Sequence, residues 1–467
     1  MKYYEDLIEQ GATADFTLSA INSHKSSELY QEAVIAYDYF RKRNVTISKY
    51  QKILYNLFGE AELDTFSSNY KFCNAFFPIF VKQENAFLLG NGVTFNKTDT
   101  KKRFGDDEFD AKIFAAGENA LWGGVSFCFF NYDHIEVFKI TEFVPLFSVE
   151  DGALHAGIRF WQVAQDKPLR ATLYEEDGFT EYIWTYGDSK ILKPKRAYTQ
   201  IVSHSVADGV EIRDGDNYPG FPIVPLWGNK EHQSELTGLR EKIDGYDLIQ
   251  SGFANDLDDA SQIYWIVNNA GGMDEIDLKK FIDQIKRVKG AVVDDGAHAE
   301  AHTLNIPYQA RQIGLAEIKD SLYRDAMAVD DEKITSGNIT ATAINAAYKN
   351  LNLKCDGYEY CVSACIKGLL KLVKIDDKPT YHRSQDTNQA EMTQVVLSAA
   401  QYLDDETILT LLPFISIDQV QDILKKRVKE EMERFNYEQS ESGIGAGIGI
   451  NVKKGNNADA VNEAVQS

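Results

Sequence analysis

The sequence PLWGNKEHQSELTGLREKIDGYDLIQSGFANDLDD, residues 225–259, decides how this chain is organised. Its apolar residues recur every three or four positions, which is the spacing of one face of an α-helix. Ser234 is placed to cap the start, and Glu235 complements the positive end of a helix that begins there. We predict a long helix with one narrow packed face and acidic faces in water. The packed face consists of Leu236, Leu239, Ile243, Tyr246, Ile249, Phe253 and Leu257.

A second long helix is predicted from Tyr308 to about Ala328, because Ile313, Leu315, Ile318 and Leu322 have the same spacing. The residues between the two helices read as a compact α/β insert. Two helices that bracket such an insert form an antiparallel pair with the insert at the far end. The predicted insert contains strands at Ile263–Val267, Gly290–Val293 and Thr303–Ile306 and a helix at Asp277–Val288.

The chain before residue 225 combines helices with a β meander. Helical spacing covers Ser26–Arg43, and an apolar stretch from Cys73 ends at Gly90, a typical residue at a helix C-terminus. Segments rich in aromatic and β-branched residues follow, separated by turn signals such as Asp177-Gly178. We predict strands at Val125–Tyr132, Ile135–Ile140, Ala153–Val163, Leu169–Tyr174 and Phe179–Tyr186.

The chain after residue 328 is predicted to be helical apart from one polar loop, Val329–Thr340. A helix from Ala341 to about Lys374 follows, with a candidate kink at Asp356-Gly357. Residues 381–437 read as a helical end module, in which Asp404 or Asp405 caps one helix and Ser416 with Gln419 forms a capping box for the next. The glycine-rich tail from about residue 438 has the composition of a disordered segment.

Composition narrows the classes of function. The 467 residues carry a formal charge of -22, which argues against a surface built to clamp phosphates but not against nucleic acid as a passenger. The cysteines are odd in number (5) and scattered, so we expect a reducing cytoplasm and no disulfide framework. No apolar run is long enough for a membrane span, and the polar first residues do not read as a secretion signal.

The sequence predicts no catalytic residue, metal site or cofactor. Cys355, Cys361 and Cys365 lack the paired spacing of a zinc site and are read as core cysteines. His298 and His302 flank Glu300 in HAEAH, which is not the motif of a zinc protease and is read as a loop. The remaining cluster, Asn255, Asp256, Asp258 and Asp259, could hold magnesium, but its helical context favours a solvated or intersubunit face.

Several motifs resemble the portal proteins of long-tailed double-stranded DNA bacteriophages. They are a hydrophobic-proline lead at Pro225, a Ser-Glu-Leu helix start at 234–236, an Ile-Asp-x-Tyr step formed by Ile243, Asp244 and Tyr246, and a Ser-x-x-x-Asn-Asp end formed by Ser251, Asn255 and Asp256. Weaker matches are the aromatic-Leu-x-Gly step at 87–90 and the Ser-Gly step at 336–337. The resemblance runs from near Ile21 to near Tyr437.

The resemblance implies an α+β portal fold with a wing, a long-helix stem, a small α/β clip and a helical crown. The implied wing is 1–230 together with 341–380, and it contains the β meander. The stem helices are 231–259 and 308–328, and the clip is 260–307. A tunnel loop at 329–340, a crown at 381–437 and a flexible tail at 438–467 complete the expected division.

The resemblance also implies a function without enzymatic activity. Copies would form a ring, expected to have twelve subunits, at one capsid vertex of the virion, after assembly in the host cytoplasm. Genomic DNA would pass through the ring, and the expected partners are the terminase large subunit, the head-tail adaptor, and the major capsid and scaffolding proteins, with no membrane. The DNA-contacting residues would be Lys333, Thr335, Ser336, Gly337 and Asn338 of the tunnel loop.

Two other functions fit the sequence less well. An acidic, metal-dependent nuclease or phosphotransferase would act as a lone subunit with magnesium-dependent turnover. Another head-tail adaptor or capsid structural protein would also oligomerise, but it would lack a ring with a central hole and a protruding stem.

Overall fold

The computed structural model describes residues 2–432, except 56–59, 65–67, 98, 186–187, 204–211, 261–263, 269–297, 303–307, 336–340, 385–388, 413–414, 416–419 and 421–422. Helices and antiparallel sheets are both present, which confirms the predicted α+β class. The chain divides into two compact units. The first comprises 1–337 and 345–385, and the second comprises 338–344 and 386–467.

Three helices near the start of the chain begin where a short polar side chain caps the backbone. Thr13, Ser27 and Asn44 each accept hydrogen bonds from N–H groups in the first turn of the helix that follows. In chain order the helices are α1 (Tyr4–Gln10), α2 (Ala14–Lys25), α3 (Glu28–Phe40), α4 (Val45–Lys49), α5 (Phe76–Leu89), α6 (Asp107–Gly123), α7 (Arg240–Ala260), α8 (Tyr308–Asp325), α9 (Asp331–Thr335), α10 (Ala341–Ala347), α11 (Lys349–Leu372), α12 (Gln389–Ala399) and α13 (Asp405–Leu411).

The predicted meander is present, but it is divided between two antiparallel sheets. The strands are β1 (Ile53–Tyr55), β2 (Ala61–Leu63), β3 (Val93–Phe95), β4 (Val125–Asn131), β5 (His134–Lys139), β6 (Phe143–Phe147), β7 (Leu154–Trp161), β8 (Leu169–Glu175), β9 (Gly178–Thr185), β10 (Asp188–Arg196), β11 (Thr199–Ser203), β12 (Ile212–Asp216), β13 (Ile223–Trp227), β14 (Tyr264–Asn268), β15 (His298–His302) and β16 (Pro379–Tyr381). One sheet has the order β10-β9-β8-β7-β6 and the other β13-β4-β5.

The main core lies between the β13-β4-β5 sheet and helices α3, α5, α6 and α11. Aromatic residues fill it, and the ring centroids of Phe127 and Phe143, one from each of the two larger sheets, are 4.4 Å apart. A second cluster packs α1 and α2 on the five-stranded sheet through residues such as Phe16 and Ile158. Strand β13 belongs to this core, and α7 follows it along the chain after residues 228–239.

Gly117 of α6 lies against side chains of both α5 and α11. The Tyr358 hydroxyl donates to Asn85 Oδ1 at 2.8 Å, and Asn85 Nδ2 donates to the Phe114 carbonyl at 2.9 Å. A β-carbon on Gly117 would overlap both the Tyr358 hydroxyl and Asn85 Oδ1. This position therefore accepts only a residue without a side chain.

Replacing Gly117 with alanine is expected to lower the free energy of unfolding by about 2–3 kcal/mol, because the added methyl displaces a buried hydrogen-bonded pair. Gly252→Ala is the matched control. No heavy atom lies within 4 Å of the β-carbon position of Gly252 in α7, so that change should stabilise by about 0.5–1 kcal/mol. Urea unfolding of both variants measures the difference, and equal effects would contradict this packing.

Three local predictions are corrected by the structure. The long helix begins at Arg240 and not near Ser234, because Gly238 has a left-handed backbone (φ +79°) that interrupts the helical turns of 235–239. The third long helix is continuous through Asp356-Gly357 and breaks instead at Tyr348. HAEAH is strand β15 and not a loop, because it pairs with β14.

In the second unit, Asp404 caps α13 as predicted. Its carboxylate accepts from the Thr407 N–H at 3.1 Å and from the Thr407 hydroxyl at 2.7 Å. Residues 423–432 are helical, and Arg427 lies 3.0 Å from Asp405. The capping box predicted at Ser416 and Gln419 and the tail from 438 lie outside the described residues. Among the helices that are described, none has the length and apolar character needed to cross a membrane.

Candidate functional site

Helices α7 and α8 pack side by side and antiparallel, as predicted. At one end Lys242 donates to Ser321 at 2.8 Å and pairs with Asp325. Toward the other end the rings of Phe253 and Tyr308 are 5.5 Å apart. An ion pair between Asp256 and Arg311 lies at the same end of the pair.

The predicted apolar face of α7 is buried only near its start. Leu236, Leu239 and Ile243 are in the main core, and Tyr246 packs edge-to-face on Phe76 with ring centroids 4.9 Å apart. Farther along the helix, Leu257 is 50% exposed. The helix pair therefore leaves the core partway along its length.

A ladder of polar side chains on α7 binds the extended segment 68–74. Asn255 Oδ1 accepts from the Tyr70 N–H at 2.6 Å, and Ser251 Oγ accepts from the Phe72 N–H at 2.9 Å. Asp247 then accepts from the Asn74 N–H at 3.1 Å. Residues four apart on the helix are about as far from one another as every second residue of an extended segment. Each of the three side chains therefore meets one backbone N–H group. We call this arrangement the polar ladder.

The polar ladder corrects the expectation that the polar faces of α7 are exposed to solvent. Asp247, Ser251 and Asn255 are all buried. Sequence reasoning missed them because a polar residue at helical spacing is normally read as solvated, and their partners are about 170–190 positions away. The Ser-x-x-x-Asn spacing was the available signal, and it serves to hold segment 68–74.

Asp247, at one end of the polar ladder, accepts more than one hydrogen bond. Besides the Asn74 backbone it accepts from Asn74 Nδ2 at 2.6 Å and from Asn44 Nδ2 at 2.8 Å. Burial raises the pKa of its carboxyl, and the hydrogen bonds from Asn74 and Asn44 oppose that rise. Beside it, Asp244 accepts from the Tyr39 hydroxyl, and burial followed by this bond raises the pKa of Tyr39 to about 12.

The acidic cluster at the end of the α7 sequence does not gather around one point. Asn255 binds Tyr70, Asp256 pairs with Arg311, and Asp258 accepts from Ser68. The side chain of Asp259 lies outside what the structure describes. Within the described residues no three His, Cys, Asp or Glu side chains are arranged to hold a metal ion.

The Ser-Glu-Leu step, residues 234–236, joins the helix pair to the core. Ser234 Oγ donates to the Trp122 carbonyl at 2.7 Å and accepts from the Leu236 N–H at 3.1 Å. Glu235 lies 2.7 Å from Lys354 Nζ of α11, and Glu84 of α5 lies 2.8 Å from the same nitrogen. We call these three charged residues the buried triad; Glu84 is buried, and the side chains of Lys354 and Glu235 are 15% and 16% exposed. No local sequence pattern indicates that they meet.

Opposing effects of burial and charge act on the buried triad. Burial raises the pKa of the Glu84 carboxyl to about 7, against the opposing effect of the Lys354 cation. Burial alone would lower the pKa of Lys354, but the two carboxylates outweigh it and raise that pKa. Lys354 also donates to the Ala326 carbonyl at 3.2 Å, so the triad holds the end of α8 as well.

A side-chain amide fixes the backbone just after α8. Gln83 Nε2 donates to the Val329 carbonyl at 3.0 Å, and the Val329 N–H donates to Gln83 Oε1 at 2.8 Å. The amide thus pairs with Val329 as a neighbouring strand would. This contact marks the start of the segment predicted to be the tunnel loop.

The predicted tunnel loop begins with a short helix, α9, that is ion-paired to α8. Lys333 lies 2.7 Å from Asp320, and Lys319 lies 2.5 Å from Glu332. Thr335 ends α9. The other three candidate contacts, Ser336, Gly337 and Asn338, lie outside the described residues, so the predicted DNA-contacting site stays a prediction.

The predicted α/β insert is described only at its base. Strand β14 confirms the strand expected at Ile263–Val267, and its partner is β15, with Tyr264 opposite His302. The helix expected at 277–288 and the strands at 290–293 and 303–306 fall outside the described residues. The three cysteines of α11 are free thiols; Cys355 and Cys365 are buried as expected, and Cys361 is half-buried.

Comparison with known proteins defines the class of this fold. The sequence profile described as phage portal protein, SPP1 Gp6-like, matches residues 23–443, so the chain belongs to that family. It is 24% identical over 431 residues to a protein of Bacillus phage SPP1 named portal protein, covering 83% of this chain and 81% of that protein. It is also 24% identical over 306 residues to one of Clostridium phage phiCD119 with the same name, covering 63% of this chain and 66% of that protein.

Solved structures with a distant likeness come from gene transfer agent particles. The neck of an empty particle gives a TM-score of 0.42 at 12% identity, over 72% of this chain and 90% of that one. The neck of a native particle, computed with C12 symmetry, gives a TM-score of 0.41 at 13% identity, covering 73% of this chain and 90% of that one. The family profile, and not these scores, carries the assignment.

Proposed function

We propose that copies of this chain form a ring at one capsid vertex, with twelve subunits, and that the ring is the channel for packaging and ejection of genomic DNA. Membership of the phage portal protein family over residues 23–443 is the observation that carries the proposal. The antiparallel pair of α7 and α8 supports it, because paired rods from successive copies can line a bore. The formal net charge of the chain is -22, and an acidic channel wall would let a polyanion slide without strong adhesion.

The proposed roles of the segments follow the expected domains. In the proposal α7 and α8 are the stem and residues 260–307 are the clip, which docks the terminase large subunit and later the head-tail adaptor. Residues 381–437 are the crown, and the wing faces the major capsid and scaffolding proteins. The polar ladder and the buried triad support the stem assignment, because they fix the angle at which the helix pair leaves the wing.

Electron microscopy of the purified protein tests the ring directly. We expect annular particles with a central hole and a protruding stem, and a mass by native mass spectrometry that is a multiple of 52.6 kDa near twelve copies. A monomer under all assembly conditions, or particles without a bore, would refute the proposal.

Deleting residues 333–338 is expected to leave ring assembly intact and to reduce DNA packaging or retention by roughly tenfold or more, because the ring would lose its grip on the duplex. Packaged DNA is measured by protection from nuclease in an assembly reaction. Asp320→Ala is the control, since it removes the ion pair of Lys333 but keeps the loop. Normal packaging by the deletion variant would remove the tunnel-loop assignment.

A further inference from the structure

A basic surface interrupts this acidic chain next to the start of α7. Residues 39–59 contain Arg41, Lys42, Arg43, Lys49 and Lys52 and not one carboxylate. The first four are exposed, and no described residue places a carboxylate oxygen within 4.0 Å of them. Lys71 joins them by donating to the Ser48 carbonyl at 2.8 Å. We call Arg41, Lys42, Arg43, Lys49 and Lys71 the basic patch.

The basic patch sits on a rigid support. Asn44, between Arg43 and α4, accepts from the Thr46 and Ile47 N–H groups, each at 3.0 Å, and donates to buried Asp247. The Tyr39 hydroxyl, at the end of α3, donates to Asp244 and lies 3.1 Å from Asn44 Oδ1. The buried polar network therefore fixes the chain beside α7 on both sides of residues 41–43.

The backbone at Lys42 allows its side chain to be removed without disturbing the fold. Lys42 has φ +60°, in the left-handed region where glycine is the usual residue at the end of a helix. The turn closes normally, with the Arg43 N–H donating to the Asp38 carbonyl at 2.8 Å. A lysine here costs stability that glycine would not, and a cation at a helix C-terminus recovers only part of it.

We infer that the basic patch binds the phosphate backbone of double-stranded nucleic acid, outside the tunnel loop. Guanidinium groups match phosphate oxygens in a two-pronged geometry, and Arg41 and Arg43 flank an exposed ammonium. Because the whole chain repels polyanions, phosphate contacts must be concentrated where carboxylates are absent. The inference does not depend on DNA passing through a bore, so it can fail while the proposed function stands.

Binding of a fluorescent mixed-sequence duplex of ~30 base pairs to the full-length assembled protein tests the inference, read as fluorescence anisotropy across salt concentration. The variant Arg41→Gln/Lys42→Gln/Arg43→Gln should weaken binding by roughly tenfold or more. It should also flatten the slope of log K against log salt by about 0.9 for each phosphate that the variant no longer neutralises. Unchanged affinity and slope, in rings that look intact by electron microscopy, would overturn it.

A pair of single substitutions separates a binding role from a structural one. Lys374, at the end of α11, is also exposed and left-handed (φ +56°), but Asp376 and Asp377 follow it. Lys42→Gly and Lys374→Gly should both raise Tm by roughly 1–3 °C. Only Lys42→Gly should weaken duplex binding. Equal weakening in both variants, or competition by polyglutamate as effective as that by unlabelled duplex, would overturn the inference, the latter in favour of an acidic protein partner.

Discussion

Asp247→Ala is expected to lower the free energy of unfolding by about 3–5 kcal/mol, the largest effect of any single substitution on α7. The carboxylate is buried and accepts from the Asn74 backbone, the Asn74 amide and the Asn44 amide. Its removal leaves three donors without an acceptor in a place that water does not reach. Chemical unfolding followed by tryptophan fluorescence measures the loss.

Asp256→Ala is the matched control, since it is the same change on the same helix. Asp256 pairs with Arg311 near the surface, and such pairs contribute about 0–1 kcal/mol. Limited proteolysis adds a local readout, because segment 68–74 should become cleavable in Asp247→Ala and stay protected in Asp256→Ala. If both variants lose the same stability, the polar ladder does not hold that segment.

Lys354→Met is expected to lower the free energy of unfolding by about 3–5 kcal/mol near neutral pH, because it leaves buried Glu84 and half-buried Glu235 without their cation. The loss should depend on pH. The pKa of Glu84 is raised from 4.5 to about 7 in the folded protein, so protons bind the folded state more tightly, and stability falls as pH rises through that window. Without Lys354 the pKa of Glu84 rises further.

The deficit of Lys354→Met should therefore be small near about pH 5 and large near about pH 8, measured by urea unfolding at each pH. Adding Glu84→Gln to Lys354→Met should recover part of the loss at the higher pH, since it removes one unpaired charge. A deficit that is equal at both pH values would show that Lys354 acts through packing and not through charge.

The long-range plan of the fold was readable from the sequence because it rests on periodicity. The spacing from Leu236 to Leu257 predicted α7, and the spacing from Ile313 to Leu322 predicted α8 and the pairing of the two. Five strands of the two larger sheets were placed to within a few residues, since β-branched and aromatic runs between turn signals identify them locally. Strands β6, β10 and β13 of the same sheets were not predicted.

The sequence could not predict the features that are formed by residues far apart along the chain. Lys354 looks like an ordinary surface lysine until Glu84 and Glu235 are placed around it. Asp247 looks solvated until segment 68–74 covers it. The start of α7 was misplaced because Gly238 weakens a helix only slightly by propensity, whereas its left-handed backbone stops the helix altogether.

Net charge hid a local feature that the sequence does contain. The total of -22 suggested a surface without phosphate contacts, yet residues 39–59 lack any carboxylate. The net charge of the whole chain does not reveal a carboxylate-free run of this length. The carboxylate-free stretch is the sequence signal that locates the basic patch.

The contact between Gln83 and Val329 has a mechanical consequence. Two parallel hydrogen bonds join α5 to the backbone at the base of the proposed tunnel loop. Tension applied beyond Asp330 is therefore shared between α5, through Gln83, and α8, through the ion pairs of α9. In the proposed channel, we expect Gln83→Ala to shift that load to α8 and to weaken the hold of the tunnel loop on the moving duplex. Single-molecule tethers would register this change as slippage at lower force.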